Sequence, residues 1–226
     1  SAVFTTMLAS RGTVFRFDRH LKRLSDNVNV LGLDVDITTA QLVSGMYAVI
    51  DANGLSEARC RITLTPGPPG RKPVTLMTAD PLPDYPAAWY RDGIAVVVTS
   101  LKQFPGDPMA GRKTSCYLPR ILARREAAAK GTEEALWFTT DNHLAEACFS
   151  NVFLVRDGTV RTPPKDTPVL PGVTREAVLE LCGERGIPAD EKRPLTVDDM
   201  LAAEEVFLTS ATMGIRPVVR IEKHRV

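Results

Sequence analysis

Residues 169–182 read "VLPGVTREAVLELC". The Pro171-Gly172 pair turns the chain, Val173 and Thr174 follow, and the spacing of Val178, Leu179, Leu181 and Cys182 predicts the buried face of an amphipathic helix. The first N–H groups of such a helix have no partner within it, and its dipole makes that end partly positive. Two readings follow. Thr174 caps the end, or water does; alternatively the end holds a phosphate. The rest of the chain has to decide between them.

The 226 residues are 44% hydrophobic and 24% charged, enough to bury a core in one large or two small domains. Lys and Arg number 28 against 27 Asp and Glu, so no overall field selects a nucleic acid or a membrane surface as partner. The basic stretches "RREAAAK" and "RFDRHLKR" carry acids at helical spacing and read as solvated helix faces. Cys60, Cys116, Cys148 and Cys182 are scattered, and His20, His143 and His224 stand far apart. No metal-ligand spacing arises, so no metal is expected, and free thiols point to the cytoplasm. No signal peptide is read, and no apolar run approaches the roughly 20 residues that span a bilayer.

The hydrophobic periodicity alternates between strand and helix. "SAVFTTML" and "TVFRF" read as strands around the turn "ASRG". "DRHLKRLSDNVNVLGL" places Leu21, Leu24, Val28 and Leu31 on one helical stripe, and "TTAQLVSGMYAVIDANG" is a second helix. Two more strands, "EARCRITLTPG" and "KPVTLMTAD", flank a Gly/Pro-rich loop. The proline-rich "DPLPDYPAA", residues 80–88, reads as a linker. Beyond it come the strand "GIAVVVTS", the loop "QFPGDPMAGRK", the helix "YLPRILARREAAAKG" and short strands in "EALWFTT", "HLAEA" and "SNVFLVRDGTV". "LTVDDMLAAEE" has a capping-box shape in Thr196 and Asp199, and "EVFLTS" and "IRPVVRIE" are the last strands. Mixed short strands with a few helices give an α+β protein in two lobes.

Several residues carry chemistry. Lys113 lies in a polar loop that leads into a helix; a lysine desolvated in a site can form a Schiff base. Glu146 interrupts a small and apolar run and is read as inward-facing. Arg23 adjoins the core-facing Leu24, where the plain alternative is a side chain that snorkels to solvent. Arg71 occupies the Gly/Pro loop, and Thr209, Ser210 and Thr212 cluster near a strand end. An amine, an inward carboxylate, two arginines, hydroxyls and a bare helix end together suit pyridoxal phosphate: lysine for the aldehyde, an acid for the ring nitrogen, arginine and N–H groups for the phosphate. Of the two readings of the helix end, this set of residues favours the phosphate.

The order of "RHLKRL", "GRKTSCYLPRILARREA", "AEACFSNVFLV", "TPPKDTPVLPGVTRE" and "EEVFLTSATMGIRPV" resembles the fold-type IV, or class IV, pyridoxal-phosphate enzymes. This group includes branched-chain and D-amino acid aminotransferases and 4-amino-4-deoxychorismate lyase. The resemblance runs over nearly the whole chain. It implies a two-lobed, D-amino acid aminotransferase-like fold with the cofactor in the interdomain cleft, usually as a homodimer. The corresponding division is a smaller lobe over 1–82, a linker at 83–90 and a larger cofactor-binding lobe over 91–226. Family members have a further hairpin before "VFTTML" and more chain after "RIEKHRV", so the smaller lobe is expected to lack its N-terminal strands.

The resemblance further implies that Lys113 forms the Schiff base and shuttles the substrate Cα proton, while Glu146 binds the pyridinium nitrogen. Arg23 and the N–H groups of Val173 and Thr174 would hold the phosphate. Tyr117 would bond the phenolic oxygen, and Ser210, Ala211 and Thr212 would approach the phosphate. Arg71, Ala211 and Thr212 would meet the substrate carboxylate. Transamination between a small amino acid and a 2-oxo acid is the expected activity. The alternative is the lyase, which yields 4-aminobenzoate and pyruvate; a third is a non-catalytic member of the fold. Here "RITLTPG" stands where branched-chain enzymes carry Tyr-x-Arg-Pro-Leu, and Arg71-Lys72-Pro73 replaces the Arg-x-His of D-amino acid enzymes. Phe4-Thr5-Thr6, Cys148 and Ala211 are more lyase-like.

Overall fold

The computed structural model describes residues 2–35, 38–68 and 70–226. Contacts divide the chain into two units, Ser1–Asp84 with Arg112–Cys116, and Tyr85–Gly111 with Tyr117–Val226.

In the first unit β1 (Val3–Ser10) and β2 (Thr13–Val14) are followed by α1 (Phe17–Val30), α2 (Thr39–Ala52), β3 (Ala58–Thr65) and β4 (Val74–Pro81). The strands form an antiparallel sheet in the order β2-β1-β3-β4. Val3, Met7 and Ala9 alternate along β1 and bury against Leu21 and Leu24 of α1 and Leu42, Met46 and Ile50 of α2. The expected strand "TVFRF" is only two residues long, because Arg16 turns into the left-handed region (φ 50°) and Phe17 opens α1. Val28 and Leu31 complete the stripe only as partly buried residues.

The second unit runs α3 (Ala88–Arg91), β5 (Ile94–Gln103), α4 (Leu118–Ala129), β6 (Glu134–Thr139), β7 (Leu144–Ala147), β8 (Asn151–Arg156) and β9 (Thr159–Arg161). It continues with α5 (Val173–Arg185), β10 (Ala189–Asp190), α6 (Val197–Leu201), β11 (Glu205–Ser210), β12 (Gly214–Ile221) and β13 (His224–Arg225). The main path of its sheet is β10-β9-β8-β11-β12-β5-β6-β7, with β13 on β12. β5 and β6 are parallel neighbours, which requires a crossover; that crossover is the loop after β5 together with α4. The Asp157-Gly158 turn between β8 and β9 has both residues at positive φ, 51° and 66°, as a tight hairpin demands.

Alternation along β8 positions the site. Val152 and Leu154 join the cluster of Ile94, Leu136, Leu208 and Val218, whereas Phe153 faces the other way, into a cluster with Val178 and Cys182 of α5. Phe153 also stacks on Phe207 at 4.8 Å. Leu181, expected on the buried face of α5, is instead 49% exposed. The buried residues are Val173, Arg175, Ala177, Val178 and Cys182, and Leu181, although on the same side of the helix, is left uncovered near its end.

Candidate active site

In the first unit, Lys113 is fixed by main-chain bonds to the end of β1. Phe4 N–H donates to Lys113 O (2.9 Å), Ser115 N–H donates to Ala2 O (2.9 Å), and Val3 bridges Thr114. β3 occupies the other edge of β1, so the lysine segment extends the edge where β2 covers only Ala9 and Ser10. Lys113 Nζ lies 4.9 Å from the centre of the Phe4 ring, and Arg61 Cζ lies 3.7 Å from the same ring. Arg61 is the arginine of "RITLTPG", and its isolation from a Tyr-x-Arg-Pro-Leu pattern hid it in the sequence.

The next residue along β1, Thr5, points to the opposite face. There it receives a bond from Arg23 Nη2 (3.1 Å) and shares one with His20 Nδ1 (2.9 Å). Arg23 is 8% exposed, so it does not snorkel to solvent as the plain alternative supposed. Burial first, and then the charges of Arg23 and Lys113, push the pKa of His20 down to about 3, so the imidazole is neutral. Arg71 is exposed on the loop between β3 and β4, its N–H bonded to Pro68 O (3.0 Å).

In the second unit, Glu146 is 3% exposed, as its apolar neighbours implied. One carboxylate oxygen is ion-paired with Arg120 Nη2, and the other accepts Leu170 N–H (3.0 Å). Asn151 Nδ2 donates to Leu170 O (2.9 Å), which ties the loop before α5 to both β7 and β8. Gln103 adds a further bond to Pro168 O.

Gly172, not Thr174, is the N-cap of α5, and no side chain caps that end. Thr174 already lies inside the helix, so it is not the cap. The glycine is needed for close approach, since a Cβ there would stand 2.0 Å from Asn151 Oδ1. The hydroxyl of Thr209, paired in register with Asn151, is buried without a hydrogen-bond partner. The turn from β11 to β12 carries the other hydroxyls: Ser210 Oγ accepts Met213 N–H (3.2 Å), Thr212 Oγ1 bonds Tyr85 OH (3.1 Å), and Ala211 lies between them. Tyr117 stacks on Phe149 at 5.8 Å.

The model of the "Amino-transferase class IV" family matches residues 2–221. A putative branched-chain-amino-acid aminotransferase of Methanocaldococcus jannaschii is 31% identical over 97% of this chain and 78% of its own length. The crystal structure of the Escherichia coli branched-chain amino acid aminotransferase superposes with a TM-score of 0.94 at 27% identity, covering all of this chain and 79% of that one. That of 4-amino-4-deoxychorismate lyase from Pseudomonas aeruginosa gives 0.90 at 27% identity, covering all of this chain and 84% of that one.

The chain belongs to the class IV aminotransferases, pyridoxal-phosphate enzymes of fold type IV. Its own residues fit that cofactor: a helix end without a side-chain cap, an orphaned buried hydroxyl and a buried carboxylate.

The sequence concealed Arg120, Asn151 and Gly172 as parts of this arrangement. An arginine on an amphipathic helix reads as solvated. The signal that finds it is chemical: a carboxylate buried as deeply as Glu146 requires a cation.

Proposed function

We propose that this enzyme transfers the amino group of a small amino acid to a 2-oxo acid, with Lys113 as its catalytic residue. The observation that carries this reading is the buried carboxylate of Glu146, bonded to the very loop that presents the uncapped end of α5. An acid for a ring nitrogen and donors for a phosphate are thus joined through one hydrogen bond, from Leu170 N–H to Glu146.

When bound, pyridoxal phosphate supplies an electron sink for the pair left at the substrate Cα. Lys113 Nζ holds the cofactor aldehyde and moves the proton on and off Cα. Glu146 accepts the ring N–H, and Arg23 with the N–H groups of Val173 and Thr174 holds the phosphate. Tyr117 orients the phenolic oxygen, while the Ser210–Ala211–Thr212 turn reaches the phosphate and, with Arg71, the substrate carboxylate. In the proposed division, the smaller lobe is 1–82, the linker 83–90 and the larger lobe 91–226. The linker ends within α3.

Two further features accompany the reading. Leu118, Ile121 and Leu122 expose an apolar face of α4 opposite the buried Ala123 and Ala127, which supports a homodimer. The four cysteines are free thiols, which supports a cytoplasmic location. No helix among the described residues is long and apolar enough to cross a membrane.

Absorption spectra of the holoenzyme with a panel of D- and L-amino acids test the proposal. Conversion to the pyridoxamine form by one donor is the expected result. A spectrum unmoved by every donor, together with 4-aminobenzoate formation from 4-amino-4-deoxychorismate, would establish the lyase instead. That second reading draws on the likeness to the Pseudomonas aeruginosa lyase.

A further inference from the structure

Arg120 has a place in this site that the roles above do not use. It lies on the first turn of α4, seven residues beyond Lys113, and its guanidinium is directed at the end of β7. Nη1 donates to Ala147 O (3.1 Å) and Cys148 O (3.2 Å), and Nη2 is ion-paired with Glu146. Its Cζ lies 5.8 Å from the centre of the Trp137 ring. The side chain of Glu146 is 4% exposed and that of Arg120 23%, so water screens this pair poorly. Leu170 N–H occupies the other oxygen of Glu146, so the carboxylate is held at both ends by groups of the protein itself.

We propose that Arg120 is a positioning residue for Glu146 and sets how firmly the cofactor's ring nitrogen holds its proton. The inference rests on the reading that Glu146 faces that nitrogen. A lone buried carboxylate beside a pyridine nitrogen strongly favours the pyridinium. Here the carboxylate's charge is offset by a guanidinium that stays charged at every accessible pH. The ring nitrogen therefore meets a fixed acceptor belonging to a nearly neutral pair, and its proton is held less tightly than a single anion would hold it. Because Leu170 N–H restrains Glu146 independently, removal of the arginine's charge leaves the acceptor in place and unmasks its field.

The test uses holoenzyme reconstituted with pyridoxal phosphate labelled with 15N in the ring, whose chemical shift separates pyridine from pyridinium. Arg120→Gln keeps an N–H donor for Glu146 and removes the charge. It is expected to carry the protonated form to higher pH, with a midpoint raised by about one unit or more. Arg120→Lys restores a cation and is expected to return the profile toward that of the unmodified enzyme. The same shift in Arg120→Gln and the unmodified enzyme, or a midpoint that moves downward, would overturn the proposal. Glu146→Gln separates this from the underlying reading: it should leave the nitrogen unprotonated throughout. If it does not, Glu146 does not face the ring. If it does while Arg120→Gln is silent, only the role of Arg120 fails. Should Arg120→Gln not fold, Arg120→Lys remains decisive against Arg120→His titrated across the imidazole range: the profile must follow the added positive charge, and independence from it would overturn the inference.

Discussion

Two helices of the second unit begin in opposite ways. α6 closes its own N-terminus: Thr196 Oγ1 accepts Asp199 N–H (3.3 Å), and Asp199 returns a bond to Thr196 N–H (2.8 Å). Arg193 then pairs with Asp199, and its hydrogen bonds first, then the hydrogen bonds from Thr196 and the charge of Arg193, lower the carboxyl pKa to about 2. α5 begins at a glycine with no side-chain cap, on a loop held by Asn151 and Glu146. A capped end is satisfied and has only a structural role. In the proposed function, the end held by its loop but left without a side-chain cap is the one that receives the phosphate.

The largest effect is expected at Lys113. Lys113→Ala should abolish the visible Schiff-base band and lower turnover by about a thousandfold or more, as stopped assays and absorbance would show. A retained band would assign the cofactor to another lysine. Gly172→Ala acts on the open end itself. Its Cβ must displace Asn151, which should cost about 1–3 kcal/mol of stability in denaturant unfolding and weaken cofactor binding at least tenfold.

A buried group that is satisfied internally offers a contrast in the first unit. His20 has a pKa of about 3 in the fold against 6.5 in the unfolded chain. The unfolded chain therefore takes up the proton first as the pH falls, and the associated stability is lost between about 6.5 and 3. From pH 7 to 5 this amounts to about 2 kcal/mol, and His20→Gln should flatten that part of the profile. The smallest effect belongs to the closed end. Thr196→Ala should cost about 1 kcal/mol and leave cofactor affinity unchanged.

The same contrast explains what the sequence disclosed. The capping box of α6 was legible because Thr196 and Asp199 are three residues apart and act locally. The strands and helices followed from the periodicity of Val3, Met7, Leu21 and Leu24, whose burial is set by one element at a time. The buried acid was legible from its apolar neighbours in "HLAEA". Its partners were not, because Arg120 is 26 residues away and Leu170 is 24 residues away, and both meet Glu146 only through the tertiary fold. Gly172 looked like a turn glycine. Its actual constraint is Asn151, from another strand, and no local pattern encodes that. Leu181 shows the converse: helical spacing placed it with the buried residues, and the tertiary fold leaves it exposed.

In the proposed function the uncapped end of α5 receives a phosphate. The most direct measurement of this is the ratio of affinities for pyridoxal phosphate and pyridoxal, taken by absorbance titration of the cofactor-free protein and of its Gly172→Ala and Thr196→Ala variants. Strong preference for the phosphorylated form is expected, preserved in Thr196→Ala and reduced at least tenfold in Gly172→Ala. An unchanged ratio in a folded Gly172→Ala protein would contradict it.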